Sequence, residues 1–196
     1  MLAEFGPVRA VEMDAAGREM AATRHACVVN GWLPDGLPYP NEQRFARVAL
    51  LDVLEHVPDD VAGLRRVRDL LPPGGQVVIT VPAHQWLWRK QDELNHHFRR
   101  YTRAELCRRI EGAGLEVVHA SYYNVLLFPI IAGIILGNKW LGRVQDDDNR
   151  IPGRWLNAGL EWILTLERYV LPWVSSPLGA SVILIARQPM REMVSA

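Results

Sequence analysis

Asp52, Glu55 and His56 fall within one short segment, Leu50-Leu51-Asp52-Val53-Leu54-Glu55-His56-Val57. Carboxylates accept hydrogen bonds from hydroxyl and ammonium groups, and imidazole exchanges a proton near neutral pH. Asp52 is therefore a candidate acceptor for a ligand ammonium. His56 is a candidate base, or part of the wall of a substrate mouth. The competing reading makes Glu55 and His56 simply the start of the next helix. The apolar run Val48 to Leu51 precedes them and reads as a buried parallel strand. Such strands deliver side chains to the carboxyl edge of a sheet, where α/β proteins bind ligands.

Two more acids stand in comparable places. Glu12 closes the short segment Val8-Arg9-Ala10-Val11-Glu12. In nucleoside-binding α/β folds an acid there accepts from ribose hydroxyls. A carboxylate favoured by the dipole of the following helix is the alternative. Asp35 lies in Trp32-Leu33-Pro34-Asp35-Gly36-Leu37-Pro38-Tyr39 and could contact a nucleobase edge. Asp-Gly is also an ordinary turn pair, the simpler reading for Asp35 alone.

His84, Trp86, Trp88, Asp92, His96, His97, Arg99 and Arg100 crowd one polar, aromatic insert at 83–100. Their spacing matches no zinc pattern and no cysteine joins them, so no metal is expected. A substrate-covering loop fits better, with His84, Trp88, His96 and Arg99 as contacts. A lid tied down by aromatic packing is the structural alternative.

These groups need elements to hold them. Asp14 can cap a helix over about 15–24, and 26–29 reads as a second strand. Asp59 or Asp60 can cap a helix with Val61, Leu64, Val67 and Leu71 at helical spacing, stopped by Pro72-Pro73-Gly74-Gly75. The β-branched run Gln76 to Val81 predicts a fully buried strand. Thr102-Arg103-Ala104-Glu105 is a capping box opening a helix that Gly112-Ala113-Gly114 ends. Strands are expected at 115–121 and 181–186, and an amphipathic helix at 155–170. Alternating strands and helices predict a doubly wound, mostly parallel α/β sheet. One domain spans 1–196, with a helical appendage at 125–177 inserted before the last strand.

Composition narrows the partners. Lys+Arg and Asp+Glu both number 22 in 196 residues. Zero formal charge argues against nucleic acid as the main partner. Two cysteines without CxxC give no disulfide framework and fit a reducing, cytoplasmic setting. The N-terminus lacks the basic start and apolar core of a signal peptide. The apolar run from Val125 to Leu136 is shorter than the roughly 20 residues of a spanning helix. Trp140, Trp155, Trp162 and Trp173, interleaved with Lys139, Arg143, Arg154 and Arg168, suit peripheral contact with a bilayer interface. A helical cap burying its own tryptophans is the alternative.

Taken together, these residues resemble a class I S-adenosylmethionine-dependent methyltransferase of the small-molecule group called type 11 or type 12. Val8 to Asp14 resembles the second-strand motif, Leu33 to Tyr39 the adenine-side loop, and Phe45 to Val57 the fourth-strand motif ending Leu-Glu-His. Leu70 to Gly75 with Val77 to Pro82, His96 to Thr102, and Gly112 to Val118 resemble the motifs that follow. The resemblance implies a Rossmann-like fold and S-adenosylmethionine as cofactor. It implies Glu12 at the ribose, Asp35 at the adenine side, and Asp52 with Val53 at the methionine side. His56 and the insert around His84, Trp88, His96 and Arg99 would face a small-molecule or lipid-linked acceptor. Methyl transfer would be in-line displacement, driven largely by positioning.

Two departures stand out. Ala46 occupies a position where the family usually has Asp. The family's first strand and Gly-x-Gly-x-Gly loop should precede Val8, so the resemblance implies an N-terminally truncated chain. Leu2 to Gly6 would be the end of the helix after that loop. Either a gap then opens in the sheet, or Val8–Glu12 pairs directly with Val48–Leu51. Both options predict weak cofactor binding by this chain alone. The competing expectation is a degenerate, non-catalytic module that binds a protein partner or a membrane surface. A nicotinamide-dependent enzyme is a third reading, without its glycine fingerprint.

Overall fold

The computed structural model describes residues 6–23, 28–141, 153–170 and 175–190. The readings of Leu2 to Phe5, Cys27, Arg143 and Trp173 lie outside the described residues. So do those of the Trp155 and Arg168 side chains.

The chain forms two sheets. β1 (Ala10–Glu12) and β2 (Val28–Asn30) are a parallel pair joined through α1 (Ala15–Ala22). Asp14 caps α1 by accepting from the Gly17 N–H at 2.6 Å. The larger sheet contains β3 (Arg47–Leu51), β4 (Gln76–Pro82), β5 (Glu116–Tyr123) and β6 (Ser181–Arg187), in the order β3-β4-β6-β5. β3 and β4 are parallel, whereas β6 runs antiparallel to both β4 and β5.

β1 and β3 share no ladder, so of the two expected arrangements the sheets remain apart. An orphaned polar edge in a core would be costly. Here the β3 edge reaches water: Leu51 is 53% exposed.

The core lies on one face of the larger sheet. Leu50, Ile79 and Leu184 are in register across β3, β4 and β6 and are all buried. α2 (Asp60–Asp69) lays Leu64 and Val67 on that face, and α4 (Arg103–Gly112) adds Leu106 and Ile110. β4 and β6 therefore alternate buried and half-buried residues. This corrects the expectation of a fully buried strand at Gln76 to Val81, because an apolar β-branched run does not reveal whether one face or two will be covered.

Local signals set the element ends. Asp59 caps α2 through the Ala62 N–H at 2.9 Å. Thr102 and Glu105 form the capping box of α4, with Glu105 Oε2 accepting from the Thr102 N–H at 2.8 Å. Gly114 ends α4 at φ +82°, where a side chain would be strained, and the Leu115 N–H returns to Ile110 O at 3.1 Å. The insert contains a short helix, α3 (Lys90–Leu94). Between β5 and β6 stand α5 (Phe128–Trp140) and α6 (Arg154–Val170).

Candidate functional site

A pocket of about 420 Å³ opens where β3 and β4 end. Asp52, Glu55 and His56 line it from the turn after β3, and Asn95, His97 and Arg100 from the insert. Asn124 and Ser181 add polar groups, while Leu87, Ile131 and Ile135 form an apolar wall. This is the carboxyl edge of the parallel pair, where open α/β sheets bind ligands.

The turn after β3 is fixed by unusual backbone geometry. Asp52 sits at φ +52°, a conformation rare for residues with a side chain. Its N–H is held by Thr80 O at 3.0 Å and Thr80 Oγ1 at 3.1 Å. Leu54 to His56 then turn as a 3-10 helix, burying Leu54 and Glu55 and leaving His56 exposed at the pocket. Glu55 is 1% exposed, and its Oε2 has no hydrogen-bond partner. Burial, reinforced by neighbouring Asp52, pushes the Glu55 carboxyl up to about 7.

His56 meets His97 edge on, with ring centroids 4.6 Å apart. Burial, and next the His97 ring, hold His56 below the ordinary imidazole value. His97 Nδ1 lies 2.9 Å from Asp92 Oδ1. The same carboxylate accepts two bonds from Arg100, at 2.8 and 2.9 Å, and one from the Arg89 N–H at 2.8 Å. Burial raises the Asp92 carboxyl, but these donors outweigh it and hold the group below its usual range.

The other expected residues are dispersed. Glu12 ends β1, where its Oε1 accepts from the Asp14 N–H at 2.8 Å. Asp35 is exposed in a turn closed by the Gly36 N–H on Trp32 O at 3.0 Å. Val53 is part-exposed beside Asp52. His84, at φ +59°, stacks on Tyr122 with centroids 5.0 Å apart and contacts Trp86 and Phe128. It packs into an aromatic cluster and is not among the pocket-lining residues. Trp88 donates to Glu93 Oε1 at 3.4 Å, and His96 is exposed. Arg99 pairs with Asp60 Oδ2 at 2.9 Å and donates to Pro58 O, anchoring the insert to the start of α2.

Glu55 and His97 were visible in sequence only as members of the strand-end motif and the insert. The signal that selects them is tertiary: the Phe98 N–H donates to Glu55 O at 2.8 Å and brings the insert onto the turn.

Residues 2–120 match a family model described as a methyltransferase domain. The ubiquinone biosynthesis O-methyltransferase of Aeromonas salmonicida (strain A449) is 34% identical over 83 residues. That match covers 36% of this chain and 35% of the relative, so the chain spans about a third of the curated relative's length. The S-adenosylmethionine-dependent methyltransferase of Mesorhizobium loti superposes with a TM-score of 0.55 at 16% identity, over 94% of this chain and 82% of that one. The cyclase SpnF superposes with a TM-score of 0.56 at 16% identity, over 96% of this chain and 69% of that one. At these identities the likeness is one of fold, and it matches the Rossmann-like α/β architecture expected from the sequence.

Proposed function

The chain belongs to the methyltransferase domain family, and from that premise we propose that it transfers a methyl group from S-adenosylmethionine to a small-molecule or lipid-linked acceptor. The observation that carries this reading is the pocket at the carboxyl edge of β3 and β4, lined by Asp52 and His56 within the family-matched segment.

The donor set fits the cofactor chemically. Glu12 and Asp52 are carboxylates at the carboxyl ends of parallel strands, suited to ribose hydroxyls and an ammonium group. Asp35 and Val53 would complete the adenine and methionine sides. When bound, S-adenosylmethionine supplies an electrophilic methyl group. The chain's own residues then orient the acceptor and manage its proton. His56 has its charged form disfavoured by burial, so it presents a neutral ring able to accept a proton near neutral pH. Asn95, Asn124 and Ser181 give hydrogen-bonding positions opposite the wall of Leu87, Ile131 and Ile135. That mixture suits a small, partly apolar acceptor.

Among the described residues, no helix is long and apolar enough to cross a membrane. α5 nevertheless exposes Ile130, Ile134, Leu136 and Trp140. These exposed apolar residues support peripheral contact with a bilayer, where a lipid-linked acceptor would be met.

A second reading rests on the split sheet. Glu12 and Asp52 are carried by sheets that share no ladder. Weak cofactor contacts would then leave a non-catalytic module that binds a protein partner or a membrane. Calorimetric titration of the full chain with S-adenosylmethionine, paired with transfer of a radiolabelled methyl group to a panel of phenols, amines and polyprenyl-linked acceptors, separates the two. Saturable binding with label transfer that falls in Asp52→Ala supports the enzyme. Neither binding nor transfer supports the module.

A further inference from the structure

We propose that Glu55, His56 and His97 form a binding site for one divalent transition-metal ion. One carboxylate oxygen of Glu55 and one ring nitrogen from each histidine all lie within 4.8 Å of one another. Metal–ligand distances of about 2.0–2.2 Å put the donors of one ion closer together than that. His56 is the exposed member of the three, so its ring is the one least fixed by burial.

Three further observations point to a cation. Glu55 is 1% exposed and lines the pocket, yet its Oε2 has no partner. A buried carboxylate oxygen without a donor calls for a reason, and a cation supplies one. Second, His97 turns Nδ1 toward Asp92 at 2.9 Å. A proton held on Nδ1 by that carboxylate leaves Nε2 as a lone pair, the arrangement that orients histidine ligands in metal sites. Third, Asp92 is itself fixed by Arg100 and the Arg89 N–H, so the supporting layer is rigid.

The surrounding charge agrees with this. Asp52 adds a carboxylate at the same pocket. Arg100 also lines it, but its guanidinium is committed to Asp92. Two imidazoles and one carboxylate favour zinc, iron, cobalt or nickel over magnesium or calcium, which prefer all-oxygen sets. Three protein donors leave coordination positions for water or an acceptor oxygen in the pocket. Spacing along the chain does not reveal this set, because Glu55 and His56 come from the turn after β3 and His97 from the insert. The inference is separate from the cofactor assignment, because ion binding is measured without S-adenosylmethionine; it replaces the base role of His56, whose single lone pair cannot hold an ion and take the acceptor's proton at once.

The test uses the full chain, stripped with EDTA and desalted, then titrated with Co²⁺ by visible absorption and with Zn²⁺ by calorimetry. The expected result is one equivalent of either ion at micromolar or tighter affinity, with no thiolate-to-cobalt charge-transfer band. Glu55→Gln, His56→Ala and His97→Ala should abolish tight binding, and Asp92→Asn should weaken it by about tenfold or more. His96→Ala, at the exposed neighbouring histidine, should bind as the unaltered chain does. Circular dichroism checks each fold; if the buried-site variants unfold, exposed His56→Ala decides. Failure of the unaltered chain to bind, equal binding by His56→Ala, or a thiolate band would overturn the proposal.

Discussion

Asp92 and Arg100 form a bidentate pair at 2.8 and 2.9 Å in which both side chains are almost wholly buried. The same carboxylate reaches His97, and the guanidinium also donates to Ala83 O at 3.2 Å. One ion pair thus holds the start of α3, the pocket histidine and the end of β4 together. Asp92→Ala would leave the Arg100 charge buried without its partner. Breaking a buried pair from one side costs about 3–5 kcal/mol. Urea unfolding of Asp92→Ala should show a loss of that size. A loss below about 1 kcal/mol would mean that Arg100 escapes to solvent and that the pair does not anchor the insert.

Tyr101 supports the insert from the other side. Its hydroxyl donates to Asp60 Oδ2 at 2.9 Å, and Asp60 also binds Arg109 at 2.6 Å and Arg99 at 2.9 Å. Tyr101→Phe should lose about 1.5–3 kcal/mol at neutral pH, as expected for a buried hydrogen bond to a charged group. The pH dependence has a definite sign. Burial first, then Asp60, pushes the Tyr101 hydroxyl well above its ordinary value of 10.0. The folded chain therefore keeps a proton that the unfolded chain gives up. The stabilisation is complete below the unfolded value and is lost as pH rises above it. The gap between the unaltered chain and Tyr101→Phe should narrow in urea unfolding from neutral pH to above about pH 10. A gap constant across that range would contradict the proposed role of the hydroxyl.

Element positions were largely legible because their signals are local. Asp14, Asp59 and Thr102 cap the helices expected of them, and Gly114 ends α4. Long-range pairing was less legible. Nothing in Ser181 to Ala186 says that β6 runs antiparallel between β4 and β5. The same limit applies to the site. Asp52 and His56 reach the pocket because they follow a strand directly. His84, Trp88, His96 and Arg99 were grouped by nearness in sequence, yet the fold sends them to an aromatic cluster, to Glu93, to solvent and to Asp60. Only contacts between elements choose His97 over His96.

α5 tests the peripheral membrane contact. Its residues are apolar around most of the helix, and Trp140 is 87% exposed beside Lys139. A water-facing helix ordinarily presents a polar side, so this one places apolar surface where a bilayer could cover it. Tryptophan suits the headgroup boundary, with its ring in the interface, while the Lys139 ammonium beside it donates back to Trp86 O at 2.7 Å. Each large apolar side chain transferred from water contributes about 1.5–3 kcal/mol. One such loss corresponds to about tenfold or more in affinity. The unaltered chain should therefore sediment with vesicles containing phosphatidylglycerol. Ile134→Ser and Trp140→Ser should each weaken that binding about tenfold, while circular dichroism remains unchanged because both side chains face solvent. A chain that ignores the vesicles, or variants that bind equally well, would remove the membrane from the functional reading and leave acceptors that diffuse freely.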